Sequence, residues 1–230
     1  MSLLIYTTTN KFELLENIIT RNNDYAINFQ KSLGTSVESI VVYDGALNGR
    51  LSDFNNLLEM KVNQGLNKCI NKVISYTNFS FDWYLRIDDT DSIVFPKKNQ
   101  KISLSKDIEL YPLVKEINKN NRKFCTVVDY QIREFIKTIK HLPKGVIPSP
   151  DGAGVIISSN FLEKIVPFPQ NTRYGDDIWL WFHFLKWYEA SSSKLLKNLV
   201  YEYKLTTMSF EKSERIIERY NLLREIKEKP

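Results

Sequence analysis

Apolar and polar residues follow two periods along this chain, and the switches between them mark out its elements. LLIYT (residues 3–7) is a short apolar run. The stretch that follows, NKFELLENIITRNNDYAINFQKSLG, sets apolar residues at 12, 15, 19, 26, 29 and 33, the spacing of one helix face. Asn10 with Glu13 makes a candidate capping box at its start, and Gly34 a candidate stop. ESIVVYDG (38–45) reads as a second strand closed by a turn, and GLNKCINKVISYT (65–77) puts Leu66, Ile70, Val73 and Ile74 on one helical face. DWYLRI (82–87) is a third strand. Strand, helix, strand, helix, strand predicts a parallel sheet built from right-handed crossovers.

The second half is less regular. A helix is expected over 110–120, a strand at KFCTVVDY (123–130) and a helix around 131–140. LPKGVIPSPDGAG (142–154) carries three prolines and three glycines, which makes it a loop. VIISSNFLEKI gives a strand and a short helix, DDIWLWFHFLKWYE (176–189) an aromatic helix, NLVYEYKL (198–205) a strand, and 206–230 a charged terminal helix. Trp179, Trp181, Phe182, Phe184 and Trp187 read as mostly core at helical spacing. With no repeat and no low-complexity linker, one domain across residues 1–230 is expected.

Composition narrows the class. Hydrophobic residues at 43% and charged residues at 26% suit a water-soluble globular chain, and no apolar run approaches the ~20 residues of a membrane span. The opening MSLLIYTTTN lacks a basic start and a long apolar segment, so cytoplasmic residence is expected. Cys69 and Cys125 form no CxxC pair, which indicates neither a disulfide framework nor a thiolate zinc site. The net charge of +5 favours an anionic partner: nucleic acid, anionic lipid or a phosphorylated small molecule. Peripheral contact with a membrane surface is compatible with that charge.

The chemistry gathers where strands end. In open parallel sheets ligands collect beyond the carboxyl ends of the strands. Thr7, Thr8 and Thr9 follow the first strand, Asp44 the second, and LRIDDTD, with Arg86, Asp88, Asp89 and Asp91, the third. Hydroxyls and amides of the first loop, together with Asp44, suit a base and ribose. Crowded carboxylates cost stability unless a cation or donors compensate them. Mg²⁺ or Mn²⁺ does so when substrate phosphates complete its oxygen shell. Asp89 and Asp91 are the expected metal ligands, with Asp88 on ribose or orienting the loop. Twelve aspartates make one chance D-x-D unsurprising, so its place after a strand is what counts.

A second acid pair, Asp176 and Asp177, opens the aromatic helix. One aspartate is explained by the helix dipole, and the other suits a general base for an attacking hydroxyl. Upstream, Gly152 and Gly154 let backbone approach a sugar or phosphate closely. His141 and His183 fall in no Ser/His/Asp or HExxH pattern.

In this order the pieces resemble the glycosyltransferases of the GT-A fold, above all the inverting, family-2-like enzymes and their small bacterial and virus-encoded members. IYTTTNKFELLENIITRN is similar to their first strand and helix, VVYDG to the strand ending in a nucleotide-binding aspartate, and LRIDDTDSI to their D-x-D. DGAGVIISSNFLEKI and YGDDIWLWFHFLK resemble the glycine-rich acceptor segment and the acid pair. The resemblance implies a three-layer α/β/α fold with a mostly parallel central sheet. It also implies transfer of a sugar from a UDP-, GDP- or dTDP-sugar to the hydroxyl of a glycan or glycoprotein acceptor, with Mn²⁺ or Mg²⁺ and inversion. Thr7, Thr8, Thr9, Asp44, Arg86, Asp88, Asp89 and Gly154 would meet the donor, Asp89 and Asp91 the metal, and Asp176 or Asp177 would be the base. A cytoplasmic setting, the host cytoplasm for a virus-encoded member, follows, and nucleic acid is not an implied partner. YDGALNG departs from the second acid and serine of many relatives, and no QxxRW-like motif follows the acid pair, which argues against a processive polymer synthase. Two rivals use the same features: a metal-dependent nuclease and a non-catalytic nucleotide or glycan binder on this scaffold.

Overall fold

The computed structural model describes residues 1–47, 54–95, 101–117, 152–172, 175–188, 190–194 and 196–203. The strand expected at 123–130, the helix at 131–140, most of the 142–154 loop and the terminal helix at 206–230 lie outside them, as does Cys125.

Eight described strands form one sheet. They are β1 (Ser2–Thr9), β2 (Ser36–Tyr43), β3 (Leu57–Glu59), β4 (Trp83–Arg86), β5 (Ser92–Val94), β6 (Leu110–Ile117), β7 (Val155–Ser158) and β8 (Leu196–Tyr203). Their spatial order is β3-β2-β1-β4-β7-β6-β8-β5. β7 pairs antiparallel with both β4 and β6, and β5 antiparallel with β8, while the other pairings are parallel. The sheet is thus mostly parallel. β1 lies between β2 and β4, so three strands end side by side.

Helices cover both faces because the central strands are apolar on both. In β1, Leu4 and Tyr6 join one core cluster, with Ile70, Val73 and Ile74 of α2 (Leu66–Thr77), Phe161 of α3 (Ser159–Ile165) and Leu180 of α4 (Asp176–Trp187). Leu3 and Ile5 point the other way, into a cluster with Ala26 and Phe29 of α1 (Leu15–Leu33). Burying a ring such as Phe29 is worth about 1.5–3 kcal/mol. The result is the three-layer α/β/α arrangement. Among the described residues no helix is long and apolar enough to cross a membrane.

Local signals decide the helix ends. Gly34, at φ 66°, takes the left-handed conformation that stops α1, and its N–H donates to the Gln30 carbonyl at 2.9 Å. The start differs from expectation. Leu14 stands at the N-cap after a short 3-10 turn (Phe12–Leu14), and no side chain caps α1, so Asn10 and Glu13 form no capping box. The Lys11 amide instead donates to Thr9 Oγ1 at 3.1 Å, which bends the chain just after β1.

The helix expected over 110–120 is in fact β6. Leu110, Leu113, Val114 and Ile117 do carry helical spacing, but Pro112 interrupts them and the neighbouring strands supply pairing partners. Leu110 enters the α2-side cluster while Tyr111 and Leu113 enter the other, so the segment is buried on two sides as a central strand must be.

Candidate functional site

The ends of β1, β2 and β4 are stitched into one wall. The Asp44 amide donates to the Thr9 carbonyl at 2.8 Å, and the Ile87 amide to the Tyr6 carbonyl at 2.9 Å. Asp44 is buried, and its two carboxylate oxygens accept the amides of Gln64 at 2.6 Å and Gly65 at 2.8 Å. It therefore organises the start of α2. Burial, with the adjacent Asp44 charge and hydrogen bond, pushes the Cys69 thiol up to about 12, so Cys69 is an inert core residue.

Arg86 links the two acid groups. The Arg86 Nη1 donates to Asp88 Oδ1 and its Nη2 to Asp176 Oδ2, each at 2.8 Å. Burial is the largest influence on this guanidinium and opposes its charge, but Asp176 and Asp88 outweigh it and hold the group above its ordinary value. The same pocket is buried around Tyr6, whose hydroxyl is pushed above its usual range chiefly by burial. Gly152 is needed here, because a Cβ on it would sit 2.2 Å from Asp176 Oδ2 and 3.3 Å from Arg86 Nη2. Gly154, at φ 69°, donates its N–H to the Arg86 carbonyl at 2.9 Å, and a Cβ on it would come within 2.8 Å of the Tyr201 ring. Asp176 and Asp177 both lie in the first turn of α4 and both are buried, Asp177 at 1% exposure.

The acid loop itself is held by three residues that sequence reasoning missed. Tyr201 of β8 accepts the Asp88 amide at 3.0 Å and donates to Asp91 Oδ2 at 2.8 Å. Its hydroxyl is raised well above its ordinary value, first by burial and then by the Asp88 and Asp91 charges. Arg21 of α1 donates to the carbonyls of Asp88, Asp89 and Asp91. Lys11 approaches Asp89 Oδ2 at 3.0 Å, and Thr9 Oγ1 donates to the same oxygen at 3.0 Å. No periodicity marks these residues, since each acts across 67 or more residues of sequence. Of the first loop, Thr9 thus meets the acid cluster, whereas buried Thr7 faces Asn22 and Arg21, and Thr8 is half-buried.

These donors fit a hard divalent cation in part. Asp88 and Asp89 keep 33% and 18% of their side chains exposed, and both offer oxygen ligands. Asp91, expected as the second metal ligand, is 2% exposed, and its Oδ2 accepts from the Tyr201 hydroxyl at 2.8 Å. Among the described residues no three His, Cys, Asp or Glu side chains form a metal cage. Mg²⁺ and Mn²⁺ seldom need one when phosphate oxygens complete the shell.

No family model matches the chain, and no curated protein sequence matches it. Solved structures do. A structure of TarS 1-349 from S. aureus in complex with UDP-GlcNAc aligns with 98% of this chain at a TM-score of 0.55 and 13% identity. The same protein with UDP aligns with 91% at 0.52 and 14% identity, and a mycobacterial protein with 89% at 0.53 and 12%. The chain spans 62% to 65% of the length of those structures. At this identity the likeness concerns architecture alone. With its mostly parallel sheet and two covering helix layers, the chain has an α/β fold of the GT-A type.

Proposed function

We propose that this chain is a glycosyltransferase that moves a sugar from a nucleoside diphosphate sugar to an acceptor hydroxyl. The observation that carries the reading is the chain Asp88–Arg86–Asp176, centred on a buried guanidinium. It joins the acid loop, where a diphosphate and its cation would bind, to the acid pair at the start of α4. Such a link is what a displacement needs, because leaving group and proton acceptor must be held on opposite sides of one carbon.

In this reaction the acceptor oxygen forms a bond to the anomeric carbon while the bond to the diphosphate oxygen breaks. The electron pair leaves with the nucleoside diphosphate. The acceptor proton passes to a carboxylate of α4, and the anomeric centre inverts. Asp177 is the proton acceptor in this reading, and Asp176, whose Oδ2 takes an Arg86 N–H, has the task of fixing Arg86. Asp89, with Asp88 beside it, would hold Mn²⁺ or Mg²⁺. The cation supplies charge stabilisation to the departing diphosphate. Thr9 and Lys11 keep the Asp89 carboxylate oriented at the end of β1.

The TarS structures hold UDP and UDP-GlcNAc, which supports a nucleotide-sugar donor for this chain and makes the UDP-sugars the first to try. The test is a screen of UDP-, GDP- and dTDP-sugars with Mn²⁺ for release of nucleoside diphosphate, with the anomer of the product read by NMR. Release from one donor class with inverted product supports the proposal. No release from any of them overturns it.

A further inference from the structure

The loop between β4 and β5 presents its backbone carbonyls to α1, and one side chain gathers three of them. Arg21 Nη1 donates to the carbonyls of Asp91 at 2.7 Å and Asp89 at 2.9 Å, and Nη2 to that of Asp88 at 3.3 Å. The remaining hydrogen bonds of the guanidinium go to Thr7 Oγ1 at 3.2 Å and to Asn22 Oδ1. The Asn22 amide also donates to Thr7 Oγ1 at 3.0 Å, so β1, α1 and the acid loop share one network.

A surface arginine that only keeps a helix in water has no use for three carbonyls of one turn. Each peptide unit is planar, so fixing the direction of a carbonyl fixes the opposite N–H and constrains the flanking Cα–Cβ bonds. With the carbonyls of Asp88, Asp89 and Asp91 turned towards Arg21, the loop keeps a single shape. A positive charge below the turn also opposes repulsion among the three carboxylates. Tyr201 restrains the loop from the β8 side through the Asp88 amide and the Asp91 carboxylate. The two clamps act on different atoms and do not substitute for each other.

We propose that Arg21 is a positioning residue for donor binding: it sets the peptide planes of residues 88–91 so that Asp88 and Asp89 are aimed before a nucleoside diphosphate and its cation arrive. The ligand named here rests on the glycosyltransferase reading, whereas the loop geometry does not.

The experiment compares the full chain with Arg21→Ala and Arg21→Lys. Amide hydrogen exchange over residues 87–93 is followed together with affinity for UDP in Mn²⁺. In Arg21→Ala these amides should exchange about tenfold faster (~1.4 kcal/mol), with α2 and β7 unchanged, and UDP should bind about tenfold more weakly. Arg21→Lys, with one charge but no fork, should lie between, so the proposal remains testable if the alanine variant fails to fold. Millimolar guanidinium ion should slow the exchange of Arg21→Ala towards wild type, which general destabilisation would not allow. Unchanged loop exchange, or exchange that rises equally throughout the protein, overturns the proposal. Equal UDP affinity in wild type and variant overturns it alone. A wild-type chain that binds no UDP, GDP or dTDP brings down the glycosyltransferase reading and, with it, the donor role of Arg21.

Discussion

Arg86 Nη2 donates to Asp176 Oδ2 at 2.8 Å, and the two residues stand 90 positions apart in sequence. The guanidinium is 4% exposed and the carboxylate 8%, so this is a desolvated pair. Removing one partner of such a pair strands the other charge. Arg86→Ala should therefore cost about 3–5 kcal/mol of stability, since it strands Asp176 and frees Asp88. Arg86→Lys should be milder yet still inactive, because an ammonium cannot span both carboxylates as the fork does. Urea unfolding and donor turnover, measured on both variants, check this.

Gly152 and Gly154 should fail in different ways. A Cβ at Gly152 meets Asp176 Oδ2 at 2.2 Å, so Gly152→Ala should push Asp176 off Arg86 and lower both nucleotide affinity and turnover. A Cβ at Gly154 meets the Tyr201 ring at 2.8 Å in a backbone at φ 69°. Gly154→Ala should thus destabilise the fold by about 1–3 kcal/mol. Calorimetric titration and thermal melting separate the two.

The acid pair should divide its labour. Asp177→Asn should keep nucleotide affinity and lower the transfer rate by about 10²- to 10⁴-fold, the usual scale for loss of a general base. Asp176→Asn should also loosen Arg86, and so reduce both affinity and rate. Equal kinetics in the two variants would contradict the assignment.

His183 offers a pH test away from the site. Its ring packs between Trp179, at 4.2 Å between centroids, and Trp187, at 4.6 Å, with Phe182 at 5.2 Å. Among the described residues neither ring nitrogen has a hydrogen-bond partner. Burial, and then the Lys186 charge, lowers its pKa from 6.5 to about 4. The folded chain thus prefers neutral imidazole, and the unfolded chain takes up the proton first. The associated stability is complete above pH 6.5 and is lost as the pH falls through about 4. The urea midpoint of wild type should fall more steeply over that window than that of His183→Phe.

Periodicity made the β1-α1-β2-α2-β4 half legible, because Leu3 to Tyr6 and the α2 stripe of Ile70, Val73 and Ile74 each have one burial pattern that works. Leu110 to Ile117 misled because apolar residues at helical intervals also suit a strand buried on both faces, and the pairing with β7 and β8 decides between them. The acids were legible as a cluster from their position after a strand. Their roles were not, because Asp44 turns to the Gln64 and Gly65 amides and Asp91 to Tyr201 only once distant elements meet. Arg21 looked like any polar residue of an amphipathic helix. Its task is set by carbonyls 67 to 70 residues away.

The proposed transfer requires the acid loop to grip a diphosphate together with a divalent ion. Calorimetric titration of UDP, GDP and dTDP, each with and without Mn²⁺, into wild type and Asp89→Ala tests it most directly. At least one nucleotide should bind in a manner that requires Mn²⁺ and is lost in Asp89→Ala. Flat titrations for all three, or binding indifferent to both the ion and Asp89, would contradict it.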